Sequence, residues 1–117
     1  MTHSTGGSLL TADIWTEFNL NDWHALQDVC LAALTKSNMT IVQQVQHHFK
    51  PQGVTAVWIL AESHMAIHTY PEAGFMAVDV FTCGNEGDPS AVVYELSDKL
   101  QATACVINKV ERGNYYE

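Results

Sequence analysis

The sequence predicts an α+β fold, a two-layer sandwich in which an antiparallel sheet carries its helices on one face. Three observations point there. Between residues 40 and 82 run four strand-length stretches rich in β-branched and aromatic residues, separated by Pro, Gly and polar turns. On each side of that block lies a segment whose apolar residues recur every three or four positions, as on one face of a helix. Finally, 117 residues, 47% of them apolar, supply one packed core and not two, so a single domain spanning 1–117 is expected.

The elements follow in order. After a flexible Gly-Ser start, Leu9-Leu10-Thr11-Ala12-Asp13-Ile14-Trp15 mixes apolar and polar residues as a first strand does. Asn21 and Asp22 offer capping oxygens ahead of Trp23, Leu26, Val29, Cys30, Ala33 and Leu34, whose spacing predicts a helix over about 21–36. Ser37-Asn38 breaks it. Thr40 to Phe49 reads as a strand, and Lys50-Pro51-Gln52-Gly53 as the turn of a hairpin into the β-branched run Val54–Ala61. Two more strands, about 64–70 and 74–82, are joined by Pro71-Glu72-Ala73-Gly74. Asp88-Pro89 opens a second helix whose Val92, Val93, Leu96 and Leu100 share a face, and Ala104-Cys105-Val106-Ile107 forms the last strand. The order is β-α-β-β-β-β-α-β. A sheet covered on one face must find cover for the other, most simply from a second subunit, giving a larger αββα assembly.

Charge and cysteine usage narrow the function. Thirteen acidic residues against five basic ones, a formal charge of -8, repel phosphates and so disfavour nucleic acid and anionic membrane as partners; a cationic small molecule suits them better. Cys30, Cys83 and Cys105 form no CxxC pair, which signals neither a disulfide framework nor a zinc knuckle and fits a reducing cytoplasm. The N-terminal residues lack a leader's basic start and apolar run, and nothing later approaches a membrane span, so a soluble protein is expected.

The chemistry-bearing residues cluster in Glu62-Ser63-His64-Met65-Ala66-Ile67-His68-Thr69-Tyr70-Pro71-Glu72 and in Phe81-Thr82-Cys83-Gly84. His64 and His68 would share a face of a helix, but their neighbours favour a strand, where positions four apart lie about 13 Å from each other, too far for one metal. No metal is expected. Ser63, His68 and Cys83 admit three readings: a hydrolase set, although no G-x-S-x-G elbow is present; self-processing, in which Ser63 attacks the carbonyl of Glu62; or a turn cap, a half-buried histidine and a core thiol.

Both segments resemble the processing and active-site region of the prokaryotic S-adenosylmethionine decarboxylase proenzymes. The likeness extends upstream through Phe49 and Pro51-x-Gly53-Val54-Thr55, and downstream to Val110-Glu111-Arg112-Gly113-x-Tyr115. It implies a pyruvoyl enzyme that cuts its own backbone between Glu62 and Ser63, leaving residues 1–62 as one chain and 63–117 as the other, with Ser63 converted to the covalent pyruvoyl cofactor. By that resemblance His68 takes the α-proton during elimination and Thr55 assists processing. The pyruvoyl ketone forms a Schiff base with the substrate amine, and Cys83 returns a proton to the product. Phe49 stacks on adenine, Glu72 holds the ribose hydroxyls, the Met65 backbone contacts the adenine edge, and Tyr70 stands where a tryptophan is common. Leu9 falls where relatives usually carry histidine.

The expected function is therefore decarboxylation of S-adenosylmethionine to the aminopropyl donor of spermidine synthesis, by a homodimer of cleaved protomers in the cytoplasm. Two alternatives stay open: the same pyruvoyl chemistry on another cationic amino acid, ornithine or arginine, and an uncleaved binding paralogue without activity.

Overall fold

Alternation along each strand decides how this chain uses its sheet. In the computed structural model, which describes residues 2–61, 63–83 and 88–116, the elements come in the order expected: β1 (Thr2–Trp15), α1 (Trp23–Lys36), β2 (Ile41–His48), β3 (Val54–Leu60), β4 (Ser63–Tyr70), a 3-10 turn (Pro71–Ala73), β5 (Phe75–Cys83), α2 (Pro89–Lys99) and β6 (Ala104–Tyr116). Among the described residues six strands form one antiparallel sheet, ordered β2-β3-β4-β5-β1-β6.

Every second residue of the central strands is buried on one side: Leu10, Ala12 and Ile14 of β1, Val54, Ala56, Trp58 and Leu60 of β3, Met65 and Ile67 of β4, Met76, Val78 and Val80 of β5. Leu26, Cys30, Ala33 and Leu34 of α1 and Val92, Val93 and Leu96 of α2 pack on that side to complete the core. Trp58 is the largest fully buried side chain, and its indole Nε1–H donates to Gln44 Oε1 at 2.7 Å, so its one polar group is satisfied. The helices begin where the sequence predicts: Asp22 accepts from the Ala25 N–H and Asp88 from the Ser90 N–H, with Pro89 in the first turn. Asn38, at φ 63°, takes the left-handed conformation that ends α1.

Two expectations change. Residues 2–8 are not a flexible start, and the last strand does not stop at Ile107. β1 and β6 pair with each other over their whole length, from Thr2↔Tyr116 to Trp15↔Ala104, with a register shift between Ser4 and Gly7 where Gly6 has φ 68°. Neither stretch carries a strong strand pattern of its own, and the partner that completes its hydrogen bonds is about a hundred residues distant in sequence, beyond the reach of local propensity.

The other face carries the remaining alternates and no helix. Trp15, Val45, Ile59, Val106 and Val110 lie there exposed, an apolar surface spread over four strands, β1, β2, β3 and β6. Replacing Trp58 with alanine empties the centre of the covered side, and urea unfolding should show a loss of about 3–5 kcal/mol; a loss below about 0.5 kcal/mol, typical of a surface change, would contradict its place in the core.

Candidate active site

Chemistry gathers at two ends of the sheet. At the first end, β3 turns into β4 through a tight hairpin in which Leu60 pairs with Ser63. Glu62, like Gly84, lies outside the described residues, so the processing role expected for Glu62 has no structural counterpart here. The Ser63 hydroxyl folds back and donates to the Ala61 carbonyl at 3.3 Å, along the backbone that precedes it. Ser63 also pairs with Thr82 on the helix side, and Cys83, the next residue and the last of β5, faces the open side. Cys83 is half-buried and lines a concavity of about 360 Å³ with Gly6, Gly7, Phe81, Arg112 and Gly113.

At the second end Thr55 and His68 face each other across β3 and β4, and Thr55 Oγ1 lies 2.9 Å from His68 Nδ1. That contact orients the ring. In the tautomer where Nδ1–H donates to the threonine oxygen, Nε2 is left with its lone pair as a proton acceptor. The pair belongs to a concavity of about 380 Å³ lined also by Phe49, Gln52, Tyr70 and Glu72. The Phe49 N–H bonds the Gly53 carbonyl at 2.8 Å across the Pro51 turn, and the half-exposed ring meets the His47 ring edge-on, centroids 4.7 Å apart. Gln52 Nε2 donates to Glu72 Oε2 at 3.1 Å, and Tyr70, 45% exposed, stacks on Phe75 at 5.5 Å.

Thr55, His68, Phe49, Tyr70 and Glu72 therefore share one concavity, as a common site requires. Met65 does not: its side chain is fully buried among the core residues, so only its backbone is available to a ligand. Nor are Ser63 and Cys83 with His68 in one chain. Ser63 and His68 stand five positions apart on an extended strand, about 17 Å, and the register that pairs His68 with Ala77 leaves Cys83 about 20 Å away.

Sequence reasoning gave no role to Gly7, Phe81 or Arg112. The alternation of β5 alone was enough to put Phe81 on the same face as Cys83; the placement of Gly7 and Arg112 needed the β1–β6 pairing. Of the other thiols, Cys30 is pushed up to about 12 by complete burial and serves as core. Cys105 is also raised, chiefly by partial burial and further by the Asp13 charge, with a Ser97 hydrogen bond opposing.

Comparison with known proteins gives the family and the fold. A family model described as S-adenosylmethionine decarboxylase matches residues 9–113. The chain is 41% identical over 98 residues to the S-adenosylmethionine decarboxylase proenzyme of Pseudomonas paraeruginosa, covering 84% of this chain and 60% of that one. It is 44% identical over 94 residues to the proenzyme of Acidithiobacillus ferrooxidans, covering 80% and 71%. With S-adenosylmethionine decarboxylase proenzyme 2 of Halalkalibacterium halodurans the identity is 34% over 111 residues, covering 93% and 87%. In three dimensions it is similar to the crystal structure of the adenosylmethionine decarboxylase from Aquifex aeolicus, with TM-score 0.79, 29% identity, and 94% and 92% of the two chains covered.

Thiol mapping tests the cysteine placement. Iodoacetamide should leave Cys30 unlabelled until the protein is unfolded, and peptide masses that place label on Cys30 in the folded state would contradict it. Because a raised pKa leaves less thiolate at any given pH, the midpoint for labelling Cys105 should fall above the ordinary value of 9.0.

Proposed function

The chain belongs to the S-adenosylmethionine decarboxylase family, and from that premise we propose that it is a self-cleaving, pyruvoyl-dependent decarboxylase of S-adenosylmethionine, working as a homodimer. The observation that carries this reading is the division of the open face. Cys83 lies at one end, with Ser63 on the strand beside it, and the hydrogen-bonded pair Thr55 and His68 at the other; Cys83 and the Thr55–His68 pair each line a concavity of their own. A second copy, turned about a two-fold axis and laid open face to open face, brings the first end of one protomer onto the second end of its partner. The exposed Trp15, Val45, Ile59, Val106 and Val110 are covered in the same step. Two complete sites result, each built from both chains.

The hairpin loop is suited to cutting. The Ser63 Oγ, already folded back over the turn, attacks the carbonyl carbon of Glu62; the peptide C–N bond breaks and an ester links the two residues. His68 of the partner subunit, held by the partner subunit's Thr55, removes the α-proton of residue 63, and the Glu62 carboxylate leaves. The dehydroalanine that remains takes up water and releases ammonia, giving a pyruvoyl group at the head of 63–117 with 1–62 as the companion chain. Before cleavage Ser63 is paired with Leu60 and Thr82, whose side chains are buried on the helix side. Breaking the loop frees this strand end to turn toward Cys83 on the open side.

The residues present fit such a group: a half-buried thiol follows the strand partner of Ser63, and an imidazole base fits the facing half-site. When formed, the pyruvoyl group supplies a ketone that binds the substrate amine and withdraws electrons from its α-carbon as carbon dioxide departs. Cys83 delivers a proton to that carbon. Phe49 offers an aromatic face to adenine and to the positive sulfonium, beside Tyr70, while Glu72, steadied by Gln52, accepts from the ribose hydroxyls. The Met65 backbone is left to meet the adenine edge. The formal charge of -8 favours approach of a cationic substrate. The product is an aminopropyl donor, in keeping with a part in spermidine synthesis in the cytoplasm. Among the described residues no helix is long and apolar enough to cross a membrane.

The chain spans 60% of the length of the Pseudomonas relative, so the activity must be measured on this chain itself. Intact mass should show two fragments, 1–62 and 63–117, the second lacking a free amino terminus, and carboxyl-labelled S-adenosylmethionine should release carbon dioxide. Ser63→Ala should remain one uncut chain without activity. Release from ornithine or arginine but not from S-adenosylmethionine would replace the substrate, and an uncut wild-type chain would leave only a binding protein.

A further inference from the structure

We infer that Arg112 forms a carboxylate-binding subsite beside Cys83; the inference rests on the decarboxylase reading and names how the amino-acid end of the substrate is held. Gly7 of β1 pairs with Cys83 of β5 on one side and with Arg112 of β6 on the other. The three residues form one row across three strands, and paired residues of an antiparallel sheet point to the same face. With strands about 4.8 Å apart, the Cα atoms of Cys83 and Arg112 stand about 10 Å from each other, and the residue between them has no side chain. That gap is the floor of the concavity both residues line. A Cβ at Gly7 would lie 2.8 Å from Phe81 Cζ, so the glycine also lets the Phe81 ring lie across the row.

Phe81 fixes the guanidinium. Arg112 Cζ sits 5.5 Å from the centre of the Phe81 ring, and the His64 ring packs against the same phenyl at 5.8 Å. A guanidinium held over an aromatic ring still has N–H groups to offer a planar acceptor, and a carboxylate matches its fork with two parallel hydrogen bonds. The chain has only five Lys and Arg residues, and among the described residues Arg112 is the one cation lining this concavity. Lys36 and Lys109 pair with Glu95 and Glu111, whereas among the described residues Arg112 contacts the Phe81 ring and no carboxylate.

The ligand follows from the chemistry next to it. A thiol that protonates the α-carbon must lie close to that carbon, and the α-carboxylate is attached there. Across the side-chain-free gap the group that carboxylate meets is Arg112. In a chain this acidic an anionic substituent needs a dedicated cation, and holding it would fix which α-carbon bond faces the electron-withdrawing group.

Replacing Arg112 by glutamine separates this role from packing. R112Q should cleave normally and raise KM for S-adenosylmethionine by about 10- to 100-fold, the worth of a charged bidentate pair. The decarboxylated product, which lacks the carboxylate, should inhibit wild type and R112Q within about threefold of each other, and R112K should recover part of the loss. Equal weakening of substrate and product would overturn the subsite, as would an unchanged KM. Dissociation of the R112Q dimer on gel filtration would overturn it too, by making Arg112 an intersubunit contact. A wild-type protein that cleaves and dimerises but releases no carbon dioxide from S-adenosylmethionine would reject the decarboxylase reading itself, and the subsite with it.

Discussion

An extended strand cannot bring its two ends together, and β4 holds Ser63 at one end and His68 near the other. Because the β3–β4–β5 register is fixed by buried partners such as Trp58 with Met65 and Ile67 with Val78, the separation is not adjustable by local motion. A one-residue slip of β4 would turn Met65 and Ile67 toward the open side and His68 into the core. The same packing that makes the sheet stable thus divides the chemistry into two halves. Facing the open surfaces of two copies is the reading that joins them.

The two sides of the sheet are built differently. Beneath the helices, alternate residues are mostly apolar and almost wholly buried; the Trp58 indole donates to Gln44, and the Thr69 hydroxyl accepts from the Val54 N–H. On the open side the exposed apolar residues are interrupted by small or polar ones: Thr55, His64, Ala66, His68, Ala77, Cys83. Small residues leave room for a ligand, and threonine, histidine and cysteine can exchange protons with it. Gly7 extends the pattern into β1, where the absent side chain creates the space between Cys83 and Arg112.

Much of this was legible in the sequence. Strand-length β-branched runs and three-to-four spacing gave every element and its order, and Asp22, Asn38 and Asp88-Pro89 marked helix boundaries through specific backbone chemistry. The identities at Ser63, His68, Cys83, Thr55, Phe49 and Glu72 were readable as a set. Their division between two ends was not, because distance along a strand becomes informative only when the pairing register is known. The long β1–β6 pairing was missed for a related reason: its hydrogen bonds join residues about a hundred positions apart and leave no local pattern. Arg112 stayed in the background on that account, since its neighbours Gly7 and Cys83 come from two other strands.

The claim that each site is assembled from two chains is tested most directly by co-expressing Cys83→Ala and Glu72→Ala chains, each impaired alone. If the sites are shared, the mixed dimer holds one site carrying both changes and one carrying neither. Random pairing should then restore about a quarter of wild-type turnover, half the dimers having one of two sites intact. Activity no higher than that of the two variants measured separately would contradict the account, because it would place Cys83 and Glu72 in the same site of one chain.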